Sequence, residues 1–287
     1  MVLSSQIRRL SSRAPATAFW SLVMWALVVV VVTPLVWAVL TSFKPDSETH
    51  QYPPTLLPQT FTLENYVQLF KVLPFANFYL NTVEVAAASS VLTILLAALA
   101  SYSMARFRVL GTEIAGFVGL AAYMLPGILI VVPVFRIAHA LGALDSLPAI
   151  IGLYTAYFLP FAVWQLRSYF AGMPREIEDA AMVDGATRFE AFYLVVLPQA
   201  MPGLIATAIF CFAVVWNEYL FASLLLYTPT NQTLSAGIAH VLIGQFDLYS
   251  WGVLMAGCTL MTLPLLVVFM VVQRRLVAGL SSGSVKG

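Results

Sequence analysis

An all-α, polytopic membrane protein with six transmembrane helices is the fold class this sequence predicts, and three observations predict it. Of 287 residues, 61% are hydrophobic and 9% charged, with a mean hydropathy of +0.89. A soluble domain carries about 25% charged residues. So few charges cannot coat a surface in water, whereas a surface facing lipid needs almost none. Second, apolar runs of the length that crosses a hydrocarbon core, about 20 residues, recur along the chain. Third, lysine and arginine fall almost entirely on one side of the topology those runs define.

The predicted spans are Phe19–Leu40, Leu80–Ser103, Ile114–Ala138, Leu147–Leu166, Met201–Leu226 and Tyr249–Val272. No strand-period alternation accompanies them, which argues against a β-barrel. Arg8, Arg9 and Arg13 precede the first run, as in a signal peptide. The run is too long for a signal core, and Val36-Trp37-Ala38 lies deep inside it, so an uncleaved signal-anchor helix is expected.

With a cytoplasmic N-terminus, the inner basic residues are Arg8, Arg9, Arg13, Arg106, Arg108, Arg167, Arg175, Arg188, Arg274, Arg275 and Lys286. The outer ones are Lys44, Lys71 and Arg136. That is 11 against 3 of the 14 lysines and arginines, and both termini are then expected in the cytoplasm. The organisation follows. Residues 1–18 are expected as a cytoplasmic segment, 19–272 as the six-helix transmembrane domain, and 273–287 as a cytoplasmic tail. Residues 41–79, with Pro53-Pro54, Pro58 and an amphipathic stretch at Leu63–Phe70, form a small extracytoplasmic cap. Cys211 and Cys258 sit in apolar runs and read as packing residues. The net charge of +1 implies no nucleic-acid partner.

The cytoplasmic segment 167–200 has the grammar of two short helices. Pro174 suits a first helical position, and Glu176, Glu178 and Asp179 favour the positive end of the helix dipole. Ile177, Ala180, Ala181 and Asp184 share a face by 3–4 spacing. Gly185 is a natural left-handed stop. Thr187 and Glu190 then form a capping box, and Phe189, Phe192, Tyr193 and Val196 supply an apolar stripe closed by Pro198 and Pro202. One reading is a hairpin that merely joins two spans. The other is a docking knob, because small Ala180 and Ala181 beside acids let a second protein's backbone approach.

The run Glu178-Asp-Ala-Ala-Met-Val-Asp-Gly-Ala, followed by Leu197-Pro198, resembles the EAA loop of ABC-importer permeases. Asp179, Ala180, Ala181 and Gly185 occupy its first part, with Asp179 standing where the family has glutamate. Glu178 and Asp179 are both candidates for the family's carboxylate contact. Tyr102-Ser-Met-Ala-Arg-Phe-Arg resembles the family's exit from span 2. Trp216-Asn-Glu-Tyr and the terminal Gly279-Leu-Ser-Ser-Gly-Ser-Val-Lys-Gly resemble its carbohydrate branch, of the maltose-permease "G" type.

That resemblance implies a type I importer fold and a permease subunit coupled to two separate ATP-binding-cassette subunits. ATP and Mg would be bound by those partners, with no cofactor in this chain, which also lacks the Gly-x-x-x-x-Gly-Lys-Ser/Thr phosphate loop. It implies a second homologous permease and an extracytoplasmic solute-binding protein or lipoprotein. The solute would be a sugar, with a polyol or glycerol phosphate as the alternative. Glu178, Asp179, Ala180, Ala181, Asp184, Gly185 and Arg188 are the expected ATPase-coupling residues.

Charges at bilayer depth usually face protein or water. Asn81, Glu84, Trp216, Asn217, Glu218 and Tyr219, with Tyr154 and Tyr157, are therefore candidates for a solute path, the aromatic faces stacking on sugar rings. Interhelical hydrogen bonding and packing is the other reading of each. A proton-driven secondary transporter using Glu84 and Glu218 is a rival, but no internal repeat of the kind such carriers often show stands out. His50, His139 and His240 fall outside the spans on separate loops, and no nucleophile–base arrangement supports an intramembrane enzyme.

Overall fold

Every regular element among the described residues is helical. The structure is a computed structural model and describes residues 2–107, 110–244 and 251–283. Arg108, Tyr249 and the last four residues, Lys286 among them, lie outside the described residues. The helices are α1 (Val2–Ser42), α2 (Asp46–Thr49), α3 (Glu64–Val72), α4 (Phe75–Arg106), α5 (Thr112–Tyr123), α6 (Gly127–Ala140) and α7 (Leu147–Ala171). After them come α8 (Glu176–Val183), α9 (Arg188–Ala191), α10 (Leu197–Trp216), α11 (Leu220–Leu225), α12 (Leu234–Gly244) and α13 (Trp251–Gly283).

Five described helical stretches are long and apolar enough to span: Phe19–Ser42, Phe75–Arg106, Leu147–Ala171, Arg188–Trp216 and Trp251–Val271. The third predicted span is not one helix. It breaks into α5 and α6, bent by 100°, which together would make the sixth. The cause is Pro126, at φ −56° and ψ 128°. A proline disfavours the helical conformation in the residue before it and has no N–H to continue the ladder.

The chain divides into two compact units. In the first, Met1–Val72 with Asp247–Leu260, the apolar stretch of α1 has no buried residues in its most hydrophobic window. A helix apolar all round suits lipid or another membrane helix. Beyond it the chain folds into a polar knot. Lys44 is buried and donates to the Thr55 carbonyl, with its ammonium 4.9 Å from the centre of the Trp37 ring. Buried Glu48 accepts from Thr55 Oγ1 at 2.5 Å and from the Gln59 amide at 3.1 Å. Asn65 on α3 donates to the Ser42 and Lys44 carbonyls at 2.9 and 2.7 Å. Phe43 stacks on Phe61, centroids 4.5 Å apart. Residues 41–72 thus fold together, while Phe75–Tyr79, expected in the same segment, belongs to α4.

The second unit is Leu73–Phe246 with Met261–Gly287. Its centre is α4 packed along α7 and α10. The buried face of α4 carries Thr82, Ala86, Ser89, Ser90, Thr93, Ala97, Ala98 and Ser101 at 3–4 spacing. The hydroxyls of Thr82, Ser89, Ser90 and Ser101 bond back to carbonyls four residues earlier, at 2.5 to 2.7 Å. Those of Ser89, Ser90 and Ser101 are thus satisfied within the helix and present only small surfaces to a neighbour, while Thr82 Oγ1 also accepts from the Leu234 amide at 2.7 Å. Lipid provides little hydrophobic drive between helices, so close approach over small residues supplies the packing.

Candidate functional site

The segment between α7 and α10 folds largely as its grammar predicts. Helix α8 begins at Glu176, two residues after Pro174, so that proline precedes the helix instead of opening it. It ends on Gly185 at φ +98°, where the Gly185 amide reaches Met182 O at 3.1 Å and the Ala186 amide reaches Ala181 O at 3.0 Å. These paired bonds are the Schellman closure that a left-handed glycine permits. The capping box is present: Glu190 N donates to Thr187 Oγ1 at 3.3 Å, and Thr187 N to Glu190 Oε2 at 2.7 Å.

The second short helix does not close at Pro198. Helix α9 runs through a π-helical turn, Phe192–Val196, straight into α10, so Arg188–Trp216 is one continuous rod. The Leu197 amide reaches back five residues to Phe192 O. That wider turn shifts the carbonyl that the Pro198 ring would otherwise strike, which lets a proline sit inside the rod.

The expected face of α8 divides. Glu178 is buried, and Ile177 and Ala181 are half-buried. Ala180 and Asp184, expected beside them, are exposed, as are Glu176, Asp179 and Arg188. The guanidinium of Arg188 lies 5.6 Å from the centre of the Phe107 ring. Val183 is 88% exposed. The aromatic stripe also divides: Phe192 and Val196 are buried, whereas Phe189 is 66% exposed and Tyr193 is exposed as well. Three aromatics surround Tyr102, the α4 residue bonded to Glu178. Tyr102 lies 4.5 Å from Phe192 and 6.0 Å from Phe170, and 6.2 Å from Phe107.

Glu178 has its partners within this chain. Its Oε2 accepts from the Tyr102 hydroxyl at 3.0 Å, and its Oε1 from Arg106 Nε. Arg106 Nη2 also donates to Met173 O at 3.3 Å. Sequence reading had Tyr102 and Arg106 only as a motif at the end of span 2. The usable signal was their spacing: four apart on a helix, a hydroxyl and a guanidinium share one face.

A second break lies in the fifth predicted span. Helix α10 stops at Trp216 and α11 starts at Leu220, so Asn217, Glu218 and Tyr219 interrupt the run Met201–Leu226. Glu218 accepts from the Phe221 and Ala222 amides at 2.9 and 3.2 Å and from the Tyr154 hydroxyl. Trp216 is fully buried and donates from Nε1 to Met261 O at 3.1 Å. Tyr154 is 1% exposed. In this conformation neither ring presents a free face. Tyr157 is half-buried against Tyr123 and Phe221, at 5.5 Å each. Asn217 and Tyr219 are exposed, with Asn217 Nδ2 on Ala213 O at 2.7 Å.

Asn81 is buried and donates to Thr230 O and Gln232 O at 2.8 and 2.9 Å. Glu84, one turn on, is exposed and is not brought to the break. His139 and His240 lie within α6 and α12 and not on loops. Among the described residues no three metal-ligating side chains gather.

Comparison with known proteins places the chain. The family described as "Binding-protein-dependent transport system inner membrane component" matches residues 90–282. The "Inner membrane ABC transporter permease protein YcjP" of Escherichia coli (strain K12) is 40% identical over 250 residues, 86% of this chain and 89% of that protein. The "Trehalose transport system permease protein SugB" of Mycobacterium tuberculosis (strain CDC 1551 / Oshkosh) is 34% identical over 275 residues, 96% of this chain and 99% of that protein. The "Diacetylchitobiose uptake system permease protein NgcG" of Streptomyces coelicolor is 34% identical over 263 residues, 92% and 86% of the two chains. A chain from the crystal structure of a bacterial ABC transporter that imports the acidic polysaccharide alginate superposes with a TM-score of 0.77. It is 21% identical, covers 92% of this chain and 97% of its own, and so supports the fold alone. A family match over residues 90–282 joined to 34–40% identity across most of the chain means that this multi-pass protein belongs to the inner-membrane permease subunits of binding-protein-dependent ABC importers, which leave ATP hydrolysis to other subunits.

Proposed function

We propose that this permease carries a sugar or sugar-like solute inward, driven by two ATP-binding-cassette subunits, one of which grips the outward face of α8. The carrying observation is the division of that helix. Glu178 is bonded within the chain, while Asp179 and Asp184 point outward beside Val183, which is 88% exposed. Bare apolar side chains in a polar loop mark a surface that another protein covers. Ala180 beside them leaves room for a close backbone, and Phe189 extends the patch past Gly185. Asp179, not Glu178, is then the carboxylate left for the partner, and Arg188 borders the same surface.

The solute class rests on the relatives, which are named for trehalose, diacetylchitobiose and sulfoquinovosyl glycerol. The path runs past the break at 217–219, where Asn217 and Tyr219 are exposed and Trp216, Tyr154 and Tyr157 back them. An extracytoplasmic binding protein delivers the solute and a second, homologous permease completes the channel. Residues 41–79 serve as the outer cap and 167–200 as the coupling loop, between cytoplasmic segments 1–18 and 273–287.

Asp179→Lys combined with Val183→Asp should insert normally yet lose the cognate ATPase during detergent purification. Unaltered recovery of the ATPase would overturn the docking assignment. Thermal-shift screening of the cognate binding protein should select a sugar over polyols and glycerol phosphates, and the reverse ranking would overturn the solute class.

A further inference from the structure

We propose that Arg106 and Glu178 form a drive link, so that displacement of the coupling helix is delivered to α4 and not principally to α10, the next span in sequence. The inference rests on the docking reading above and adds which span is pulled.

Helix α8 packs against α9 and the π turn, and two bonded routes lead from it into the membrane. The covalent one passes through the Gly185 turn, α9 and the π turn into α10. Gly185 is in open space, with nothing within 4 Å of where a Cβ would stand, so no side chain fills the outside of the turn. The π turn is a local departure from the regular ladder, a type of irregularity that often marks a functional site.

The other route is non-covalent and densely bonded. Arg106 occupies the last turn of α4, where a cation complements the helix dipole. The Arg106 and Glu178 side chains are 6% and 11% exposed. Tyr102 adds a second donor from the same helix, at 3.0 Å. The contacts then cross over. Arg106 of α4 donates to Met173 O just before α8, at 3.3 Å, and Arg175 at the start of α8 reaches back to Ala105 O at 3.5 Å. Phe170, Phe192 and Tyr102 wall the joint and keep water from the pair. Such a joint resists sliding, because separating the pair would strand a buried charge.

Helix α4 is also well placed to receive the motion. It packs along both α7 and α10, and its small-residue face brings those helices close. Pulling on its inner end therefore moves the second unit's central helix, whereas pulling on α10 would first work against the π turn.

The test uses the complete importer in proteoliposomes: both permeases, the ATPases and the binding protein with its solute. Glu178→Gln and Arg106→Ala should each keep the ATPases bound and hydrolysing, while solute moved per ATP falls on the order of tenfold. Because both act through one link, the double variant should be no worse than either alone. Unchanged transport per ATP in the single variants would overturn the proposal, and so would losses that add in the double variant. Loss of the ATPases from the single variants would also overturn it, since the pair would then serve only to keep α8 folded. Asp179→Lys is the control for the underlying reading. If that variant retains its ATPases, the docking surface is misassigned, whatever the Arg106 and Glu178 variants do.

Discussion

Tyr154 on α7 donates its phenolic hydrogen bond to the Glu218 carboxylate, which also accepts two backbone amides at the start of α11. This one carboxylate ends a span, opens the next short helix and fastens both to a third. Glu218→Gln keeps one acceptor oxygen and should lower stability by about 1–3 kcal/mol, as expected when a buried hydrogen-bonding group is left unpaired. Glu218→Ala should lose more and Tyr154→Phe less. The check is thermal unfolding of the detergent-solubilised protein, alongside uptake at several external pH values. Uptake in the wild type that rises steeply with an imposed proton gradient, and is lost in Glu218→Gln, would favour a proton-coupled carrier instead.

Asn81 bonds the carbonyls of Thr230 and Gln232, some 150 residues along the chain, and Asp145 holds the same loop from α7's side. Asp145 Oδ1 accepts from the Tyr227 and Thr228 amides at 3.1 and 3.0 Å. The loop between α11 and α12 is therefore clasped twice. Asn81→Ala should destabilise the protein by about 1–3 kcal/mol and leave the apparent affinity for solute unchanged. Asn217→Ala should do the opposite, because its exposed side chain holds only a carbonyl of its own helix. A shift in affinity for Asn81→Ala, measured by concentration-dependent uptake, would return Asn81 to the solute path.

What the sequence made legible, and what it did not, follows from the range of the interactions. Spans, glycine stop and capping box are local, so spacing and residue type were enough to find them. Pro126 and the polar triplet Asn217-Glu218-Tyr219 are also local, yet their breaks were hidden because hydropathy averages across them. The inward turn of Glu178 was not legible in the coupling segment, since its partners Tyr102 and Arg106 lie 76 and 72 residues away. Trp216 illustrates the same limit. An indole in a polar tetrapeptide reads as exposed, but a carbonyl of α13, at Met261, satisfies its N–H and lets the ring be buried. Phe189 shows the converse: its place in an apolar stripe fitted burial, and it is exposed.

The knot around Glu48 should be sensitive to acid. The Thr55 hydroxyl, then the Gln59 and Thr60 amides and nearby Lys44, hold the Glu48 carboxyl below its ordinary range. A carboxyl depressed in the native state stabilises the fold fully above its unfolded value. That contribution is lost as pH falls through the depressed native value. Residues 44–60 should therefore resist proteolysis near neutral pH and open at pH values below the usual glutamate range. Glu48→Gln should cleave faster at neutral pH and show a flatter pH profile. Identical profiles for the two proteins would mean that the knot is held by its carbonyl contacts to Lys44 and Asn65 alone.

Gly185 separates steric from conformational demands in one position. Its φ of +98° lies where side-chain-bearing residues are strained, yet a Cβ there would meet nothing within 4 Å. Gly185→Ala should thus cost about 1–2 kcal/mol through backbone strain alone. Asparagine, which tolerates left-handed geometry better, should cost less. Valine and proline should be worst, since the first adds β-branching at positive φ and the second cannot adopt it at all. None of these substitutions touches the buried Arg106–Glu178 pair, so α8 should remain tied to α4 in each. The order Asn, Ala, Val, Pro should therefore appear in the recovery of bound ATPase if the proposed docking surface includes both Val183 and Phe189, on either side of the turn. If all four variants bind ATPase equally, the surface does not cross the turn, and Asp179, Ala180 and Val183 on α8 constitute all of it.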